Sequence, residues 1–264
     1  MLKALWLTDI HLEFLEDDLL QKFIVETKQY DFDMIWITGD ISHGPHLSPH
    51  LISLANSFQK PIYFVLGNHD FYGQKMIDVY GDMATITTNP NLTYLSTSSG
   101  IHLNDNNVLI GHDSWGDGRY GNYYQSEIVL NDFFAIRDFV GLSKENILQK
   151  MQDIVSKATI HTEKVLNKAL QTYEHVWMLT HVPPFKEASL YGEVIADDNW
   201  LPFFSCKQMG DMLKEVMRKH SKQKLTVLCG HTHNKADIQV CENLRVYVGG
   251  AEYCKPCVQR IFDI

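Results

Sequence analysis

Seven short apolar runs, rich in branched and aromatic residues, break off into polar or glycine-containing clusters: KALWLTD, MIWITGD, PIYFVLGNHD, NNVLIGHDSWG, HVWMLTHVPP, LTVLCGHTH and LRVYVGGA. Apolar runs without polar alternation suit strands covered on both faces, as in sheets that carry helices outside. Helical spacing lies between several of them, at 17–29, 144–174 and 207–220. In the longest segment Ile147, Met151, Ile154, Ala158, Val165, Ala169 and Tyr173 are predicted to face a core, with Ser143 as the N-cap. The predicted class is α/β. A chain of 264 residues, 45% hydrophobic and 21% charged, can bury the core this needs. With no linker, repeat or low-complexity tract, residues 1–264 are expected to form one domain. Two aromatic and acidic segments, 117–142 and 184–206, interrupt the strand rhythm and are expected to lie as loops or a small cap over one edge. Tyr120, Tyr123, Tyr124 and Trp200 in them could stack on a base or pack the insertions down, and packing is favoured.

The formal net charge of −9 argues against a broad surface for duplex nucleic acid. Asp9 and His11 cut the first apolar run short, so no signal-peptide core is expected, and no stretch approaches the ~18 apolar residues of a membrane span. Five cysteines without an export signal favour free thiols and a cytoplasmic protein. The Cys254–Cys257 pair has no second CxxC to complete a zinc site, so ordinary thiols are expected there too.

The strand ends carry the chemistry. Asp9 and His11 follow the first run, Asp40 the second, Asn68 and His69 the third, His181 a later one, and His231 and His233 the LTVLC run. Ligands of open α/β sheets bind beyond the carboxyl ends of the strands, so these residues should converge. Carboxylates, imidazoles and one amide oxygen, without thiolate, suit a pair of divalent ions such as Mn(II), Fe or Zn(II). Gly39, Gly67 and Gly230 allow the close backbone approach such turns need. Any one of these residues could equally cap a turn; together they cannot all be explained that way.

The ordered motifs D-x-H (Asp9 to His11), G-D (Gly39-Asp40), G-N-H-D (Gly67 to Asp70), a lone His181 and G-H-x-H (Gly230 to His233) resemble those of the calcineurin-like metallophosphoesterases. The resemblance implies a four-layer αββα sandwich, two mixed sheets face to face between helices, with a dinuclear metal centre at one sheet's edge. It further implies that Asp9, His11 and His233 hold one metal, that Asn68, His181 and His231 hold the other, and that Asp40 bridges them. A bridging hydroxide would then attack phosphorus in line. His69 is left to protonate the leaving oxygen or bind the phosphate, with Asp70 orienting its ring. His43 and His112 are weaker substrate or supporting candidates.

Segment GDISHG lacks the Asp-Arg-Gly of the serine/threonine phosphatases, and His69 stands where the lipid A pathway's UDP-diacylglucosamine pyrophosphatases carry arginine. The expected substrate is therefore a phosphodiester, such as a small nucleotidic diester or single-stranded nucleic acid. A phosphomonoesterase is the alternative, and a non-catalytic scaffold is disfavoured by the complete ligand set.

Overall fold

A computed structural model describes residues 1–264. In chain order its strands are β1 (Lys3–Leu7), β2 (Met34–Thr38), β3 (Ile62–Val65), β4 (Leu92–Tyr94), β5 (Ile101–Asn104), β6 (Asn107–Gly111), β7 (His175–Leu179), β8 (Leu190–Tyr191), β9 (Val194–Ile195), β10 (Lys224–Cys229), β11 (Ala236–Cys241), β12 (Leu244–Val248) and β13 (Arg260–Asp263). Its helices are α1 (Asp17–Thr27), α2 (Leu47–Phe58), α3 (Met76–Ile86), α4 (Asp132–Ala135), α5 (Lys144–Ala169), α6 (Leu201–Phe204) and α7 (Lys207–Lys219).

Two mixed sheets result, in the orders β13-β1-β2-β3-β4 and β11-β12-β10-β7-β6-β5. Their central strands are parallel, while β13, β11 and β5 run antiparallel at edges. Alternation along each strand sorts the core into layers. Leu5, Leu7, Ile35 and Ile37 join the large cluster under the helices, whereas Ala4, Trp6, Met34 and Trp36 meet Leu109, Trp177, Leu179 and Leu228 of the other sheet in a second cluster. Trp36 and Trp177 close that interface with ring centroids 5.3 Å apart, and Phe262 of β13 stands 5.1 Å from Trp177. Covered on both sides, these strands have no polar face, which is why the sequence shows runs instead of alternation.

All seven apolar runs are strands, and the three helical segments are α1, α5 and α7. Ser143 caps α5, its side chain accepting from the Asn146 amide at 3.3 Å. The elements without a sequence signal have local reasons. Pro49 falls in the first turn of α2, where a missing N–H costs nothing, so a stretch that reads as loop is helical. Gly81 interrupts the helical pattern of α3. Strand β4 has only three residues, and β11 is an edge strand alternating between half-buried and exposed positions. All five cysteines are unpaired. No helix is long and apolar enough to cross a membrane.

Candidate metal centre

Strands β1, β2, β3, β7 and β10 all end on the same side, and each hands the chain to a turn that carries candidate ligands. Asp9 (φ 48°), His11 (φ 42°), Asp40 (φ 49°), His231 (φ 74°) and His233 (φ 57°) are five of only eight non-glycine residues with positive φ. Left-handed backbone costs such residues about 1–2 kcal/mol each and persists where the surroundings over-determine it. The surroundings do so here by crossing between the sheets. Asp9 Oδ1 accepts the His231 amide at 2.9 Å, and Thr8 Oγ donates to Asp9 Oδ2 at 2.6 Å. A Cβ on Gly230 would overlap the Asp9 carboxylate, and one on Gly67 would overlap the Asp40 carboxylate. Both sheets therefore build the site, three strand ends from the first and two from the second, and not the edge of one sheet alone.

The seven residues form two donor sets. In the first, His11 Nε2 is 3.2 Å from His233 Nε2 and 3.8 Å from Asp40 Oδ2, and His233 Nε2 is 3.5 Å from Asp9 Oδ1. In the second, His181 Nε2 is 3.1 Å from Asn68 Oδ1, 3.2 Å from His231 Nδ1 and 3.4 Å from Asp40 Oδ1. Asp40 thus turns one oxygen to each set.

Hydrogen bonds behind the donors fix which atoms carry lone pairs. His181 Nδ1 donates to the Thr38 carbonyl at 2.8 Å, and His231 Nε2 donates to the Phe203 carbonyl at 3.1 Å. The Asn68 Nδ2 group donates to Asp132 Oδ1 at 2.9 Å, which turns Asn68 Oδ1 inward. His181 Nε2, His231 Nδ1 and Asn68 Oδ1 are then three acceptors facing one another. Lone pairs of this kind, beside a buried carboxylate, fit a divalent cation, and the oxygen and imidazole set suits Mn, Fe or Zn.

The sequence model of the calcineurin-like phosphoesterase family matches residues 2–235. The chain belongs to the calcineurin-like phosphoesterases. It is accordingly a hydrolase of phosphoester bonds that depends on divalent metal. Solved structures share its fold at low identity. The phosphopantetheinyl hydrolase of Mycobacterium tuberculosis aligns with a TM-score of 0.67 at 10% identity, over 94% of this chain and 89% of that one. A dimetal phosphatase of Danio rerio aligns at 0.58 and 13%, over 94% and 87%, and TT1561 of Thermus thermophilus at 0.52 and 12%, over 94% and 88%. Curated protein sequences give no significant match.

Electrostatics agree with a cation site. Burial alone would lower the His181 pKa, but the Asp40 charge beside it overrides burial and pushes it up to about 10. His231 is instead held down to about 3 by burial and by His181. The Asp40 charge thus favours positive charge beside His181, which a bound cation would supply.

The remaining candidates separate. His69 sits beside the first set, its amide donating to Asp40 Oδ1 at 2.9 Å, its ring 4.6 Å from that of His11 and stacked 4.3 Å from that of Tyr72. Asp70 does not orient His69. It is fully buried and accepts the amides of Ile41 and Ser42 at 2.9 Å and of Gly67 at 2.8 Å, tying the Asp40 and Asn68 turns together. His43 lies at the rim, 3.6 Å from Glu13. His112 is not brought to the site; it packs on His161 and lines a cleft of about 790 Å³ between α3 and α5. That cleft holds none of the seven donors.

Three supporting groups carried no clear sequence signal. Asp132, in the 117–142 segment, aligns Asn68 and also accepts the Tyr72 hydroxyl at 2.7 Å. The Phe203 carbonyl, in the 184–206 segment, aligns His231. Glu13 accepts from His11 Nδ1 at 3.3 Å, and its place two residues after His11, continuing the Asp9/His11 spacing, was the available clue.

Aromatic side chains flank the donors. Tyr253 and Phe14, 5.3 Å apart and both about half-exposed, border the first set, with Tyr253 4.7 Å from His11 and 5.0 Å from His233. Phe204, 5.6 Å from His231, borders the second and continues through Trp200 to Tyr191 at centroid distances of 5.0 and 5.5 Å. Tyr123 is buried against Phe203, the packing role expected of it.

Proposed function

We propose that this phosphoesterase acts on phosphodiesters, with the aromatic rows at the two donor sets receiving the two ester arms. The observation that carries this reading is the pairing of rings with donors: Phe14 beside His11, Tyr253 beside His11 and His233, and Phe204 beside His231 with Trp200 packed behind it. Lys255 pairs with Glu252, Arg119 with Asp117 and Arg245 with Asp237. A nucleotidic diester or single-stranded nucleic acid fits rings that can stack on a base. The fold does not choose, since neighbours of the same fold are named both hydrolase of a phosphopantetheinyl group and phosphatase.

Two divalent ions would be held by Asp9, His11, Asp40 and His233 on one side and by Asp40, Asn68, His181 and His231 on the other. Bound there, they supply Lewis acidity toward phosphoryl oxygens and acidify water. Asp40 offsets the repulsion between the two charges by facing both sets. His69 holds the proton that follows the electron pair of the breaking P–O bond onto the leaving oxygen. Asp132 and the Phe203 carbonyl keep Asn68 and His231 aligned, so segments 117–142 and 184–206 serve the ligands as well as forming a cap.

The test is hydrolysis of bis-p-nitrophenyl phosphate against p-nitrophenyl phosphate with Mn(II), followed by a panel of cyclic nucleotides, dinucleotides, single-stranded DNA and RNA, and phospholipid headgroup diesters. A kcat/KM at least tenfold higher for the diester is expected. A preference for the monoester would refute the proposal.

A further inference from the structure

The donors and their immediate supports leave one buried carboxylate of the site without a full account. Glu13 has a side chain only 1% exposed, and its Oε1 stands 3.3 Å from His11 Nδ1, 3.6 Å from His43 Nδ1 and 3.8 Å from His69 Nδ1. Three imidazoles from the turns after β1, β2 and β3 meet one carboxylate, while Glu13 Oε2 and His69 Nδ1 are both buried without a hydrogen-bond partner.

Three facts narrow what Glu13 does. It is not part of a third metal site, because His11 turns Nε2 to the first donor set and a neutral imidazole has one lone pair, so its Nδ1 carries a proton and donates to Glu13. Asp70, the carboxylate next to His69 in sequence, is used up by three backbone amides. His43 can turn to water, its side chain being 36% exposed, whereas His69 at 14% cannot. A buried ring N–H left unpaired costs about 1–3 kcal/mol, and the Glu13 carboxylate, 3.8 Å away through Oε1, still has Oε2 without a partner.

We propose that Glu13 is the positioning residue for His69: its carboxylate takes the Nδ1 proton of His69 as a hydrogen bond, which leaves Nε2 as the atom that exchanges protons with the leaving oxygen. The same side chain holds the ring of His11, so one carboxylate aligns a metal ligand and the proton donor together. As the P–O bond breaks, its electron pair goes to the leaving oxygen, the Nε2 proton follows, and the neutral Nδ1–H imidazole remains on Glu13. This inference rests on the reading of His69 as proton donor.

Substitution Glu13→Gln is the informative change. Its amide oxygen can still accept from His11, but its NH₂ then faces His69 Nδ1 and favours the opposite tautomer, Nε2–H. Three quantities are read on the Zn(II)-loaded protein: bound metal per chain, the dependence of kcat/KM on leaving-group pKa across aryl and alkyl diesters, and imidazole 15N shifts of histidine-labelled protein, with His69→Asn identifying the resonances. With both metals retained, Glu13→Gln should switch the His69 tautomer and slow alkyl diesters about 10–100-fold, against less than about threefold for nitrophenyl diesters. Glu13→Asp, which keeps a carboxylate, should recover part of the alkyl activity.

An unchanged tautomer and an unchanged leaving-group dependence in Glu13→Gln overturn the proposal. Loss of a metal with equal loss on every substrate also overturns it, by confining Glu13 to His11. If His69→Asn itself leaves the leaving-group dependence unchanged, the proton-donor reading falls and this inference falls with it. A steep effect of His69→Asn beside a flat Glu13→Gln removes only the inference about Glu13.

Discussion

Replacing Asp70 by Asn tests whether this carboxylate serves the backbone or the chemistry. Its Oδ1 accepts from Ile41 and Ser42 at 2.9 Å and its Oδ2 from Gly67 at 2.8 Å, all out of contact with water. An asparagine can keep the first two bonds, but its Nδ2 then meets the Gly67 N–H, donor against donor. The lost bond is worth roughly 1.5–3 kcal/mol, and the stranded amide adds about 1–3 kcal/mol, so the change should cost about 3–5 kcal/mol. That is a large part of the roughly 5–15 kcal/mol by which a folded domain is stable. At about 2–4 °C per kcal/mol for a chain of this size, the melting temperature should fall by roughly 6–20 °C. Thermal unfolding followed by near-UV circular dichroism in EDTA reads this without metal. Because Gly67 precedes Asn68, metal content should also fall, mainly at the second donor set. The reasoning is refuted if Asp70→Asn melts within about 2 °C of the parent and slows alkyl diesters selectively, since Asp70 would then be acting on His69.

Three other outcomes follow from the same geometry. Asp40→Asn should abolish hydrolysis and drop the metal content below two per chain by elemental analysis, because one oxygen of Asp40 faces each donor set. His181→Ala should empty the second set while the first stays filled; two metals per chain with unchanged turnover would count against His181 as a ligand. His175 in β7, bonded to Thr226 Oγ at 2.8 Å, is held neutral, its pKa lowered to about 4 first by burial and then by Lys224. The unfolded chain takes up that proton near pH 6.5, so stability should decline from about pH 6.5 to 4 by up to ~3 kcal/mol, and His175→Gln should flatten this stretch of the denaturation midpoint against pH.

The sequence by itself determined the class and the central strands, and it singled out the candidate donors. Residues such as Ile35 to Ile37 are apolar on both faces because each strand is covered on both faces, so burial writes itself into the chain as a run. Asp9, His11, Asp40, Asn68, His181, His231 and His233 stand out for a related reason: polar groups directly after such runs can only lie at the carboxyl edge, where strands from distant parts of the chain end together. What the chain does not encode locally is which partner each polar group finds. Asp70 follows His69 in sequence, yet three amides from two neighbouring turns claim it, because unpaired buried N–H groups are costly and this carboxylate is the acceptor the turns bring to them. Glu13, Asp132 and the Phe203 carbonyl gain their roles from contacts 56 to 64 positions away or from a carbonyl that any residue would supply, as in Glu13 with His69, Asp132 with Asn68 and Phe203 with His231. His112 shows the converse: it follows a strand and a glycine as the candidate ligands do, but its ring packs on His161 of α5, and the next residue, Asp113, is the one that reaches the other sheet, accepting the Leu66 amide at 2.7 Å. Periodicity reports how deeply a segment is buried; only the packing of the two sheets decides which strand ends meet.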